Sequence, residues 1–160
     1  SQIRTLPRFA ECALEHLCGL FESPPAGLVC VQHRSDAVEQ ARPGNRLGDI
    51  SWAVQSRVEA AGMSVIRSLV GHGVGRDMHE DPQVPNYGTA GRGPLLEEGM
   101  VLAIERMVNA GRHMVRMGDD GWAIFSQDGS LAAHFEFTVA ITADGPRILT
   151  PWHEAEVRAA

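Results

Sequence analysis

"LAAHFEFTVAIT", Leu131 to Thr142, alternates along its whole length. Leu131, Ala133, Phe135, Phe137, Val139 and Ile141 fall on one side of an extended chain, and His134, Glu136 and Thr138 on the other. Side chains on a strand point to opposite faces in turn, so the pattern predicts one apolar face and one face that carries chemistry. Upstream, "GMVLAIERMV", Gly99 to Val108, reads as a second strand, with Val101, Ala103, Glu105 and Met107 sharing a side. Each strand has a carboxylate at its centre. Burying such a group is costly unless it is paired or binds a metal. On the flanks, "GWAIFS" and the turn "QDGS" predict a hairpin with Leu131–Thr142, and Asp144-Gly145 turns that strand into "PRILT".

Further upstream lies "GHGVGRDMHEDPQVPNYG", Gly71 to Gly88, delivered by "MSVIRSLV", which predicts a strand over 63–70. Glycines on both sides of His72 allow close backbone approach. "DPQVPNYG" is expected to shape an adjoining loop. Before the strand, "ARPGNRLGD" is a turn-rich connector that ends on Asp49, the expected N-cap of a helix. Ile50, Ala53, Val54, Val58 and Ala61 trace that helix's apolar face, and Gly62 is its expected stop. Nearer the start, apolar residues from Phe9 to Phe21 predict a helix opened by Pro7 and ended by Ser23-Pro24-Pro25. "AGLVCVQH", over 26–33, reads as a short strand or as a second buried piece.

Composition narrows the function classes. With 160 residues and 44% hydrophobic content the chain suits one domain with a real core. A net charge of -6 argues against a nucleic-acid surface. No apolar run approaches the roughly 20 residues of a membrane span, and no basic-then-apolar leader stands at the N-terminus. A cytoplasmic location is expected. Cys12, Cys18 and Cys30 match no zinc or redox spacing and read as free thiols.

His72, Glu105 and Glu136, with His134 beside Glu136 on its face, form an oxygen and nitrogen ligand set suited to a first-row divalent ion. Taken singly, a strand glutamate or a loop histidine is ordinary surface; their coincidence carries the inference. Two other motifs fail. His79-Glu80 begins a His-Glu-x-x-His zinc site, but Gln83 stands where the second histidine belongs. "GHGVGR" lacks the Lys-Ser/Thr of a phosphate loop.

"GHGVGRDMHEDPQVPNYG", "LLEEGMVLAIERMVNAG" and "DDGWAIFSQDGSLAAHFEFTVAIT", preceded by "ARPGNRLGDISWAVQSRVEAAGMSVIRSLV", resemble in order and spacing the successive blocks of type I methionine aminopeptidases. The similarity runs from roughly Asp36 to Thr150. It implies an α+β pita-bread (creatinase/aminopeptidase-like) fold, N-terminally incomplete, and hydrolytic removal of initiator methionine with divalent ions as cofactors: Co, Mn, Fe or Zn. By motif, the resemblance makes His72, Glu105 and Glu136 metal ligands. Glu105 would also move a proton towards the leaving amine, and His79 would contact the scissile amide. Met78 and Trp122 would line the pocket for the methionine side chain, and His134 would act as an outer partner of the ligands. The implied partners are N-terminal Met peptides or nascent chains, with ribosome association but no membrane or direct nucleic-acid contact.

Departures from the family pattern bear on activity. An upstream pair of aspartate ligands is absent, and Asp36 is the first aspartate in the chain. Residues 1–35 therefore read as a divergent, helical segment, 36–150 as the catalytic part and 151–160 as a tail. Arg106, Ala103 and Phe137 replace residues usual in the family (Pro, Thr and His); by alternation Arg106 and Phe137 should point away from the ligands. These departures lead to an expectation of impaired activity and of self-association through an exposed sheet edge. The alternative is a non-catalytic or truncated pita-bread fragment that binds peptides or proteins. A third reading, an aminopeptidase P or prolidase, fits "PNYG" and "DGW" less well.

Overall fold

The computed structural model describes residues 34–150. The expected Pro7–Phe21 helix, the 26–33 segment, the three cysteines and the 151–160 tail lie outside the described residues. Two helices, α1 (Arg34–Glu39) and α2 (Leu47–Ala60), precede eight strands. The strands are β1 (Ser64–Val65), β2 (Val70–Gly73), β3 (Glu80–Pro85), β4 (Val101–Asn109), β5 (Val115–Met117), β6 (Ile124–Ser126), β7 (Ala132–Thr142) and β8 (Gly145–Ile148). The main sheet runs β3-β2-β4-β7-β8, with β1 also on β4, and every pairing is antiparallel. No helix among the described residues is long and apolar enough to cross a membrane.

The two faces of this sheet have opposite character. Ile50, Val54 and Val58 of α2 and Ala37 and Val38 of α1 pack with Leu102, Ile104 and Val108 of β4 and with Phe137, Val139 and Ile141 of β7. Ile50, Val54 and Val58, and Phe137, Val139 and Ile141, are among the apolar positions expected from the two periodicities; α1 is not among the expected elements. Each large side chain removed from water contributes about 1.5–3 kcal/mol. The helices therefore cover one face, and the alternate positions of β4 and β7 are turned to the other.

Four local expectations are corrected. Helix α2 begins at Leu47 with Arg46 at its N-cap, so Asp49 is the third helical residue rather than the cap. Leu47 is buried and its N–H donates to the Pro94 carbonyl, which starts the helix three residues early. Asp49 still serves the helix start, accepting the Arg46 N–H at 2.7 Å and the Gly91 N–H at 2.7 Å. The single strand expected over 63–70 is divided into β1 and β2, which pair with opposite ends of β4. In the gap the Asn86 side chain accepts the Met107 N–H at 3.3 Å, and the Ile66 N–H donates to the Met107 carbonyl.

The first part of the loop expected over 81–88 belongs to the edge strand β3, where Pro82 and Pro85 do no harm because an edge leaves N–H positions unpaired. Finally, β6 pairs with β5 and not with β7. β7 pairs with β4 over residues 132–140 and with β8 over residues 139–142. The chain is instead turned by Asp128, whose carboxylate accepts the Arg112 N–H at 2.7 Å and the Ser130 N–H at 3.1 Å.

The glycines around His72 answer a steric demand. A Cβ on Gly71 would lie 2.2 Å from the Ala103 carbonyl oxygen of β4, and one on Gly73 would lie 2.3 Å from the Asp81 carbonyl oxygen of β3. Only glycine lets β2 run this close to both neighbours. Gly71→Ala is expected to lose at least about 1–3 kcal/mol of stability, as overpacking against backbone does; urea unfolding followed by circular dichroism measures it.

Asp128 supplies a pH test. The Arg112 N–H, then the Ser130 hydroxyl and N–H, hold its carboxyl down from 3.8 to about 2. Its contribution to stability is therefore present above the unfolded value of 3.8 and is lost as pH falls through about 2. Asp128→Asn is expected to lower the urea midpoint modestly at pH 7, since the group is exposed. The difference from the parent chain should close as pH falls from 4 towards 2.

Candidate metal centre

Register decides which residues meet. Glu105 of β4 lies directly opposite Glu136 of β7, Met107 opposite His134, and Ala103 opposite both Thr138 and, on its other side, His72 of β2. Residues opposite one another share a face, so His72, Glu105, His134 and Glu136 all stand on the face away from the helices. Arg106 and Phe137 point the other way, as alternation requires: both are buried, with the guanidinium 5.1 Å from the phenyl ring.

Glu105 is the centre of this group. Its Oε1 lies 3.4 Å from His72 Nε2 and its Oε2 lies 3.2 Å from His134 Nε2. Its side chain is 15% exposed, that of His72 13% and that of His134 49%, so the carboxylate sits at the floor and His134 at the rim. His72 Nδ1 donates to the Gly73 carbonyl at 2.8 Å, because a carbonyl oxygen can only accept. In the neutral ring this leaves a lone pair on Nε2 facing a carboxylate oxygen. Two acceptors at that separation repel unless a proton or a metal ion lies between them.

The ligand atoms offered by Glu105, His134 and Glu136 all lie within 4.8 Å of one another. Two carboxylates and one imidazole at this spacing suit a divalent first-row ion, which takes nitrogen and oxygen ligands at about 2.0–2.2 Å; His72 is not part of this group and meets Glu105 alone. The donor set therefore fits a metal.

Beside it opens a cavity of about 640 Å³, lined by Glu105 and His134 and by the apolar Ile66, Leu69, Met107 and Trp122. The Trp122 side of the cavity is shaped by a short turn. Asp120 accepts the Trp122 N–H at 3.0 Å and the Ala123 N–H at 2.9 Å, and the Ala123 and Trp122 bonds hold the Asp120 carboxyl below its ordinary value. His79 arrives from the loop before β3 and packs against His72, the rings tilted by 48° with centroids 4.1 Å apart. Met78 is exposed on that loop and is not among the residues that line the cavity. Asn86 is a residue the sequence analysis overlooked; its only signal there is a polar side chain directly after a proline-rich strand.

A model of metallopeptidase family M24 matches residues 28–143. The chain belongs to metallopeptidase family M24. Among relatives, it is 59% identical over 113 residues to a methionine aminopeptidase of Clostridium acetobutylicum, a match covering 71% of this chain and 45% of the relative. To methionine aminopeptidase 1 of Bacillus subtilis it is 54% identical, over 71% of this chain and 46% of the relative. This M24 chain thus spans about half the length of the curated relatives it matches. Its fold superposes on the crystal structure of methionine aminopeptidase from Thermotoga maritima with a TM-score of 0.75 and 51% identity, over 77% of this chain and 49% of that one. The prolidase from Pyrococcus horikoshii follows at a TM-score of 0.57 and 25% identity, over 77% of this chain and 30% of that one. The architecture is that of the pita-bread M24 proteins.

Proposed function

We propose that residues 36–150 carry the catalytic part of a metal-dependent aminopeptidase that releases methionine from the N-terminus of peptides or nascent chains in the cytoplasm. The observation that supports it most strongly is Glu105, flanked by two imidazole nitrogens and facing Glu136 beside an apolar cavity. His72, Glu105 and Glu136 would hold the ion, with Co, Mn, Fe and Zn all compatible with such ligands. When bound, it would supply Lewis-acid polarisation of the amide carbonyl and a water that ionises near neutral pH.

The remaining roles fall to the chain's own side chains. The unbranched methionine side chain suits the cavity, where Trp122 and Met107 offer an aromatic face and a thioether. Glu105 would hold a proton between water and the departing amine. His79, packed on His72 at the mouth of the site, would donate a hydrogen bond to the oxygen on which charge develops.

A second reading, a peptide-binding module without turnover, rests on the apolar cavity, which can hold a side chain whether or not an ion binds beside it. Mass spectrometry of a Met-Ala-Ser peptide incubated with the chain and Mn(II), Co(II), Fe(II) or Zn(II) separates the two. The expected result is slow, metal-dependent release of free methionine that is abolished in Glu105→Ala. Binding of the peptide without release under all four metals would overturn the enzymatic reading and support the module. In the active case His79→Ala is expected to lower kcat by about 10²–10³-fold, as loss of a single oxyanion donor does. Trp122→Ala should raise KM for Met peptides while leaving the melting temperature unchanged, because its side chain is 88% exposed.

A further inference from the structure

Resting on the metal-site reading above, we infer that His134 is itself a metal ligand, and that Glu105, His134 and Glu136 make an ion position distinct from that of His72. Three observations carry this. Register places His134 on the same face as Glu136 and Glu105, opposite Met107, so its ring needs no change of strand geometry to reach them. Its Nε2 lies 3.2 Å from Glu105 Oε2, while the His72 ring faces the other oxygen, Oε1, at 3.4 Å. For nitrogen and oxygen ligands held at about 2.0–2.1 Å from a tetrahedral ion, neighbouring donors stand roughly 3.3 Å apart. Both contacts therefore have the length of one edge of such a coordination shell.

The two edges lead from different oxygens of the same carboxylate. Glu136 joins Glu105 and His134 in a group whose three ligand atoms fall within 4.8 Å of one another, a group that does not include His72. Glu105 is thereby shared between two imidazoles, and the His134 side is the better furnished with carboxylates. His134 at the rim also lines the apolar cavity, which places this ion position next to the space for a side chain.

The competing account is an exposed His–Glu ion pair that contributes little. Loss of affinity alone does not separate ligand from neighbour, since outer partners of metal ligands also cost 10–100-fold when removed. A direct readout does. The chain carrying ¹⁵N-labelled histidine is titrated with ¹¹³Cd(II), and the imidazole nitrogens are followed by NMR, with His134→Gln used to assign the His134 resonance. The expected result is a scalar coupling between ¹¹³Cd and His134 Nε2, with at least about a tenfold weaker Cd(II) affinity in His134→Gln by calorimetry. Because the coupling is read in the unaltered chain, it does not depend on the variant's folding.

Cadmium bound with coupling to His72 but none to His134 would overturn the inference and leave the metal site standing. Weakened affinity without coupling would make His134 an outer partner and overturn it equally. No cadmium binding at all would overturn both the inference and the metal-site reading beneath it.

Discussion

Two glutamates stand directly opposite one another on β4 and β7, and the rest of the site is organised by the cost of that pairing. Like charges across a ladder repel; with the ligand atoms within 4.8 Å of one another, the repulsion is about 1 kcal/mol in water and about 3 kcal/mol at the effective dielectric of a protein surface. A sheet built only to pack would not retain them. Here the register is fixed by the apolar residues between them: Leu102, Ile104 and Val108 on β4 and Phe137, Val139 and Ile141 on β7 are committed to the helix-covered face. Slipping by one residue would expose that whole set. The hydrophobic core therefore forces the carboxylates together, and a cation is the group that turns the juxtaposition from a cost into a site.

The supporting structure follows from the same demand. For His72 to reach Glu105, β2 must run close to β4 and β3 must run close to β2, which is why glycine is needed at positions 71 and 73. The Gly73 carbonyl then sets the His72 tautomer by accepting its Nδ1 proton. Asn86 fills the interval between β1 and β2 on that edge of β4, so the backbone two residues beyond Glu105 stays satisfied where the ladder is interrupted. The M24 chain thus uses its least regular pieces, short strands and proline-rich edges, on the side of the sheet nearest the chemistry, and its longest strands on the side that holds the ligands in register.

Much of this was legible in the sequence because it rests on short-range periodicity. The alternation in Leu131–Thr142 and Gly99–Val108 marked both strands, their apolar faces, and the side on which Glu105, Glu136 and His134 project. The 3.6-residue pattern marked α2. The strand misreadings share a cause: each depended on which segments far apart in the chain came to lie side by side. In place of the hairpin expected between β6 and β7, β6 pairs with β5, and Asp128 ties the segment after β6 back to Arg112. The first part of the loop expected at 81–88 is a strand because β2 offered it an edge, and prolines are tolerated on the outer strand.

By itself, the sequence determined the strands, their faces, and the chemical kinds of group on offer: imidazoles and carboxylates amid glycine and apolar residues. Local sterics and the hydrophobic effect act over a few residues, so that much needs no tertiary information. Only the tertiary structure decided that Glu105 opposes Glu136, that His72 and His134 take different oxygens of the same carboxylate, and that Trp122 rather than Met78 borders the cavity. Those are relations between segments far apart in the chain, and they are set by strand register and edge occupancy, which no local pattern encodes.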